Sequence, residues 1–235
     1  MTSIYDNILK DIAIEKPLLA VLIDPEKFEI NKTSDFLNKL PQQVTHLFVG
    51  GSTSVNGKIT EVVSSLKMHS EFPVILFPGD ANQISHDADA ILFLSLISGR
   101  NPEYLIEQQI KAVPQLHGST LEIIPTGYIL IDGGKESAVE QVSKTKPILQ
   151  SQVEIIIDTA LAGQYLGKKL IYLEAGSGAL NRVNNKIIAE VKKAIQIPLI
   201  VGGGIRSAKE LSEVFQSGAD MVVIGTAFET QIFEN

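Results

Sequence analysis

Ile171-Tyr172-Leu173-Glu174-Ala175-Gly176-Ser177-Gly178, Ile200-Val201-Gly202-Gly203-Gly204-Ile205 and Val223-Ile224-Gly225-Thr226 share one design. In each, an apolar run reads as a buried strand, and the glycines that follow make a turn with uncovered backbone amides. Such amides, and those at the starts of the helices that come next, attract phosphate without a cationic side chain. Three such segments in consecutive βα units predict a parallel barrel whose last strands hold a phosphorylated small molecule.

Toward the N-terminus the same alternation continues. Strands are expected at Leu18–Ile23, His46–Val49, Val74–Phe77, Ala90–Leu94, Leu121–Ile124, Leu170–Glu174, Pro198–Val201 and Met221–Ile224. They are nearly all apolar, as parallel strands covered on both faces should be. Helical patterns fall at Ser34–Leu40, Lys58–Met68, Pro102–Val113, Asn184–Ala194 and Ala208–Ser217, and Gln152 to Gly167 reads as a further helix. Eight alternating units favour an α/β fold of the TIM (β/α)8 type over an open sheet, as a single domain over residues 1–235. Between Pro78 and Asp89 the chain is too short for a proper third helix, so a loop or single turn is expected there. Tyr128 to Ser151 reads as a long polar connection carrying Asp132-Gly133-Gly134-Lys135, and loops of that length are usually functional or mobile.

Composition narrows the function. A chain of 235 residues with 44% hydrophobic content can bury one large core. A net charge of -7, without a dense basic stripe, argues against a nucleic-acid partner. With no cysteine, disulfides, thiolate catalysis and Cys-based zinc sites are excluded, in keeping with a reducing, cytoplasmic location. The polar start, Met1 to Lys10, is not a signal peptide, and no apolar run approaches the ~18 residues of a membrane span. Contact with a membrane surface, to handle a lipid substrate, is compatible with this. His46, His69, His86 and His117 show no ligand spacing, and no P-loop, nucleophile elbow or dinucleotide fingerprint occurs.

In such barrels functional residues gather where strands end. The first strand ends in Asp24-Pro25-Glu26-Lys27 and the second in Gly50-Gly51-Ser52-Thr53-Ser54. The third ends in Pro78-Gly79-Asp80, the fourth in Ser95 to Asn101 and the fifth in Pro125-Thr126-Gly127-Tyr128. Asp24, with hydroxyls from Ser52 or Thr53 next door, is the kind of sparse oxygen set that holds Mg²⁺ together with substrate phosphate; it is also a plain turn starter ahead of Pro25. Glu174 puts a carboxylate beside any bound phosphate. A substrate hydroxyl is its natural partner, with Glu174 as acceptor or general base, and the alternative is an ion pair to Lys or Arg across the barrel mouth. Arg206 either adds charge to the phosphate site or caps exposed structure. Tyr172 either covers the ligand or packs.

On these residues the chain resembles the geranylgeranylglyceryl phosphate synthases and their bacterial heptaprenylglyceryl phosphate relatives. The matching pieces are Ile23-Asp24-Pro25-Glu26-Lys27, Val49-Gly50-Gly51-Ser52-Thr53, Ser98-Gly99-Arg100-Asn101-Pro102, Pro125-Thr126-Gly127-Tyr128, Tyr172 to Gly178, Val201 to Ile205 and Gly225-Thr226. Tyr-Leu-Glu-Ala-Gly-Ser-Gly is the specific one. The resemblance implies Mg²⁺-dependent transfer of a prenyl group from a prenyl diphosphate to the primary hydroxyl of sn-glycerol 1-phosphate, releasing diphosphate. It implies that Asp24 and Ser52 bind Mg²⁺, with Thr53 beside them. It also implies that Tyr172, Leu173, Glu174, Ala175, Gly176, Ser177, Gly178, Gly203, Gly204, Gly225 and Thr226 hold glycerol phosphate. Glu174 becomes the candidate base and Asp24 the second catalytic residue. An apolar groove for the prenyl tail is expected from the third to fifth strands, including Phe77, Phe93, Leu96 and Tyr128. Barrels of this kind often pair through outer helices, so a homo-oligomer is expected. Two rival readings share the phosphate turns: another phosphate-barrel isomerase or synthase, and a non-catalytic phosphate-ligand barrel.

Overall fold

A computed structural model describes residues 3–51 and 58–225. Ser52, Thr53 and Thr226, expected at the metal and phosphate sites, lie outside the described residues. The strands are β1 Leu18–Ile23, β2 Val44–Gly51, β3 Val74–Pro78, β4 Ala90–Leu96, β5 Glu122–Leu130, β6 Leu170–Glu174, β7 Leu199–Gly202 and β8 Met221–Ile224. They hydrogen-bond in sequence order and close into a barrel, the expected (β/α)8 fold. Every residue of β6, β7 and β8 is buried, as required of parallel strands covered on both faces.

The chain packs as two compact units, one within 1–93 and 108–124, the other within 94–107 and 125–235. In the first, β1 to β3 run parallel with Val21 beside Leu47 and Gly51 beside Pro78. In the second, β5 to β8 run parallel with Tyr128 beside Tyr172, Glu174 beside Gly202 and Gly202 beside Val223.

The helices are α1 Ile4–Ala13, α2 Thr33–Asn38, α3 Lys58–His69, α4 Gln108–Leu116, α5 Ala138–Ser143, α6 Val153–Tyr165, α7 Asn185–Ala194 and α8 Ala208–Gln216. Their starts obey local capping chemistry. Ser3, Ser137, Asn184 and Ser207 each accept a hydrogen bond from an amide in the first turn of α1, α5, α7 and α8. Each cap satisfies one of the amides that a helix start leaves unpaired. No helix forms between β3 and β4, as the short spacing required.

Residues 4–13 form α1, a helix outside the expected set, with Ile8 buried. The expected Pro102–Val113 helix forms, wound as a π-helix over Glu103–Glu107 before α4 carries it on through Pro114 to the buried Leu116. Ser95 Oγ donates to Leu105 O at 2.7 Å, adding a second claim on a carbonyl of that turn. The connection from Tyr128 to Ser151 is not all loop. β5 continues through Tyr128 to Leu130, because these residues pair with Tyr172, Leu173 and Glu174, so Tyr128 lies within the strand rather than at its end. Beyond it, Ile131 bridges Ile148 and α5 occupies part of the return.

Candidate active site

Side chains alternate along β6, so Ile171 and Leu173 share one face and Tyr172 and Glu174 the other. The outer face is fixed by Ile171, whose Cδ1 would lie 3.0 Å from a Cβ placed on Gly163 of α6. Tyr172 and Glu174 therefore point into the barrel. Tyr172 is fully buried and Glu174 is 6% exposed.

The Tyr172 hydroxyl donates to the Glu174 carboxylate, and Gly176 N–H donates to Glu174 Oε1 at 2.7 Å. Burial raises the pKa of the Glu174 carboxyl above its ordinary value, and these two donors oppose the rise. Tyr128, next to Tyr172 across the β5–β6 ladder, stacks edge to face on it with centroids 5.3 Å apart and planes at 63°. Burial, reinforced by the Glu174 charge, pushes both tyrosine hydroxyls well above their usual pKa, so they remain protonated donors at neutral pH. Glu174 thus has hydrogen-bond donors for partners, where the alternative expectation was an ion pair across the barrel mouth. Tyr172 packs and also serves Glu174.

Gly202 on β7 makes room for this pair. A Cβ there would collide with Tyr172 Oη and lie 3.0 Å from Glu174 Oε2. Gly203, at φ +84°, packs so closely on the β6 turn that a Cβ would stand 2.7 Å from Gly176 N and would strike Glu174 Oε1. The turn after β6 and the turn after β7 are therefore in direct backbone contact around the carboxylate. Leu173 faces outward and is buried, Ala175 is buried, Ser177 is exposed, and Gly178, Gly203 and Gly204 are half-buried beside them. Gly225 follows β8.

The arginines nearby brace these turns. Arg206 Nη2 donates to Ala179 O at the end of the β6 turn, and its backbone N–H donates to Glu210 Oε2 at 2.6 Å. Arg182 reaches Glu213 at 2.5 Å and Asn185 Oδ1 at 2.5 Å.

Asp24, at the end of β1, accepts from Glu26 N–H at 3.0 Å through Oδ1, and Oδ2 lies 3.3 Å from the exposed Lys27 ammonium. It is thus a turn former that retains a loosely paired, half-buried carboxylate oxygen. Among the described residues no group of three or more His, Asp or Glu could hold a metal. A lone carboxylate fits Mg²⁺ bound largely through substrate phosphate oxygens and water, and does not fit an all-protein cage. His46 is buried, with Nδ1 2.8 Å from Thr45 Oγ1.

Sequence reading missed Gln83. This residue is 2% exposed; its Nε2 donates to Gly51 O and its Oε1 accepts from Gly79 N–H, both at 2.9 Å. It ties the ends of β2 and β3 together, and nothing in the polar stretch around it distinguishes it from a solvated glutamine. Of the residues expected to line a prenyl groove, Phe77 stacks on Phe48 at 6.4 Å, and Leu96 and Tyr128 are buried. Phe93 is half-buried.

A closed parallel barrel with glycine turns after its last strands and a buried acid beneath them defines the class: a phosphate-binding (β/α)8 enzyme. The PcrB family matches residues 10–235, and the chain belongs to that family. It is 61% identical over 234 residues to a geranylgeranylglyceryl phosphate synthase of Zunongwangia profunda, covering 100% of both chains. It is 42% identical over 222 residues to one of Pyrococcus furiosus, covering 92% of this chain and 86% of that one. A crystal structure of (S)-3-O-geranylgeranylglyceryl phosphate synthase from Thermoplasma acidophilum, in complex with substrate sn-glycerol-1-phosphate, superposes with TM-score 0.89 at 33% identity. That match covers 97% of this chain and 92% of the other. The chain is accordingly an enzyme, a prenyltransferase.

Proposed function

We propose that this enzyme alkylates the primary hydroxyl of sn-glycerol 1-phosphate with a long-chain prenyl diphosphate, forming an ether and releasing diphosphate. The observation that carries the reading is the buried Glu174, held by Tyr172 and Gly176 directly beneath the glycine turns. The turn amides take the phosphate, which leaves the glycerol hydroxyls to face a carboxylate whose proton affinity burial has raised. The new bond joins the hydroxyl oxygen to the prenyl C1. The bond from C1 to the diphosphate oxygen breaks, its electron pair leaves with diphosphate, and the hydroxyl proton passes to a Glu174 oxygen. Fixing the glycerol by its distant phosphate makes this attack effectively intramolecular.

Asp24, together with Ser52 as the family resemblance implies, would hold Mg²⁺, which supplies positive charge against the diphosphate as charge develops there. The test is incubation of the purified protein with labelled sn-glycerol 1-phosphate and a series of prenyl diphosphates of increasing length. An ether-linked lipid that requires Mg²⁺ supports the reading, and its absence for every donor rejects it. The donor that turns over best sets the chain length.

A further inference from the structure

The segment Asp132-Gly133-Gly134-Lys135 after β5 has no part in the reaction described above, yet it lies along the turn after β6. Gly133 O accepts from both Leu180 N–H and Asn181 N–H at 2.9 Å. A Cβ on Gly133 would strike Ala175 O, and one on Gly176 would stand 2.7 Å from Ser137 Cβ. Gln150 Nε2 donates to Asp132 O at 2.9 Å and to Arg182 O at 3.1 Å, stitching the two segments together a second time. This scaffold carries Lys135 to Gly178: its Nζ is 3.3 Å from where a Cβ on that glycine would sit.

The cations around the phosphate turns differ in what already occupies them. Arg206 is held on Ala179 O, and Arg182 on Glu213 and Asn185. Lys135 is exposed, and its ammonium forms no ion pair or hydrogen bond among the described residues. Its acidic neighbours are engaged elsewhere, Asp132 Oδ1 by Gly134 N–H at 2.9 Å and Glu136 Oε2 by Gln141 Nε2 at 3.0 Å. An unengaged ammonium held over the turn after β6 is placed to pair with an anion.

The geometry points to Lys135 as a substrate-binding residue: its ammonium closes the amide cup from the β5 side and pairs with the phosphate of the glycerol phosphate acceptor. The inference rests on the reading under Proposed function for the identity of that acceptor. Removing an exposed charge from a loop leaves the barrel core untouched, so its effect falls on acceptor binding rather than on folding.

The experiment compares wild type, Lys135→Ala and Lys135→Arg, after melting curves confirm that all three are folded. Direct binding of inorganic phosphate is measured by calorimetry, and KM is measured separately for glycerol phosphate and for the prenyl diphosphate. Lys135→Ala is expected to weaken phosphate binding and raise the glycerol phosphate KM about tenfold, or about 1.4 kcal/mol. The salt dependence of phosphate binding should flatten with it, and Lys135→Arg should recover most of the loss. An unchanged phosphate affinity, or an effect confined to the prenyl diphosphate KM, overturns the assignment. If wild type makes no ether lipid, the proposed reaction fails, while the phosphate-binding comparison still decides the role of Lys135.

Discussion

Substituting Gly202 by alanine tests the central geometry with a single methyl group. The φ of Gly202 lies outside the left-handed region, so alanine meets no backbone strain there and the whole effect is steric. Its Cβ would be 3.0 Å from Glu174 Oε2 and 3.0 Å from Tyr172 Cε2, and would overlap Tyr172 Oη, where ordinary contacts begin near 3.4 Å. All of these atoms belong to fully or almost fully buried side chains. Forcing a methyl into such a site costs roughly 1–3 kcal/mol, which for a domain of this size lowers the melting temperature by about 2–12 °C. Because the displaced groups are the proposed base and its hydrogen-bond donor, turnover should fall by about tenfold or more, beyond what lost stability explains. Gly118→Ala is the control: at φ +78° with nothing within 4 Å it carries only a conformational cost, about 1 kcal/mol or somewhat more. The assay pairs thermal melting with steady-state kinetics on both substrates. Gly202→Ala melting within about 1 °C of wild type with unchanged kinetics would refute the packing of Tyr172 and Glu174 against Gly202.

Other perturbations probe the remaining links. Glu174→Gln should cut turnover by roughly 10²–10⁴, the contribution typical of a general base. Because burial raises the Glu174 carboxyl, that group's contribution to stability is full below the ordinary value of 4.5 and is lost as pH rises through the folded value. Denaturant melts should therefore show Glu174→Gln gaining on wild type as pH rises above 4.5 and matching it below; a gap that shrinks with rising pH contradicts the burial argument. His46 works with the opposite sign. Burial, its largest influence, lowers it from 6.5 to about 4; Asp11 raises it by less, and Lys16 lowers it further. Its neutral form therefore supports the fold above pH 6.5, and roughly 3 kcal/mol is lost as pH falls to about 4. His46→Gln should flatten wild type's loss of stability over that window, as read by urea midpoints. Asp24→Ala should abolish most Mg²⁺-dependent turnover while changing the urea midpoint little, since its partners are a turn amide and an exposed lysine; full activity would remove Asp24 from the reaction.

Much of this was legible because the barrel writes its strands as apolar runs. Leu18–Ile23 and Met221–Ile224 were located to the residue since both their faces are covered and turn residues bound them. The pairing of Tyr172 with Glu174 follows from strand periodicity once the face is known, since residues two apart point the same way. Other features depended on contacts distant in sequence. β5 outruns its apolar signal because β6 offers partners up to Glu174. The burial of Gln83 depends on Gly51 and Gly79 arriving on either side of it. α1 was masked by charged residues on its exposed face, although Ser3 carried the capping signal and Ile4, Ile8 and Ile12 the helical spacing. Nothing in the sequence sets Lys135 apart, because its place beside Gly178 comes from the fold.

The backbone of Gly176 joins the acid to the turn around it. Its N–H donates to Glu174 Oε1 and its carbonyl accepts from Ala179 N–H, so the acid is tied directly to the loop proposed to take the phosphate. A negative charge arriving on that loop makes the carboxylate hungrier for a proton, since like charges disfavour ionisation. In the proposed reaction the Glu174 base therefore strengthens once the phosphate-bearing nucleophile has docked.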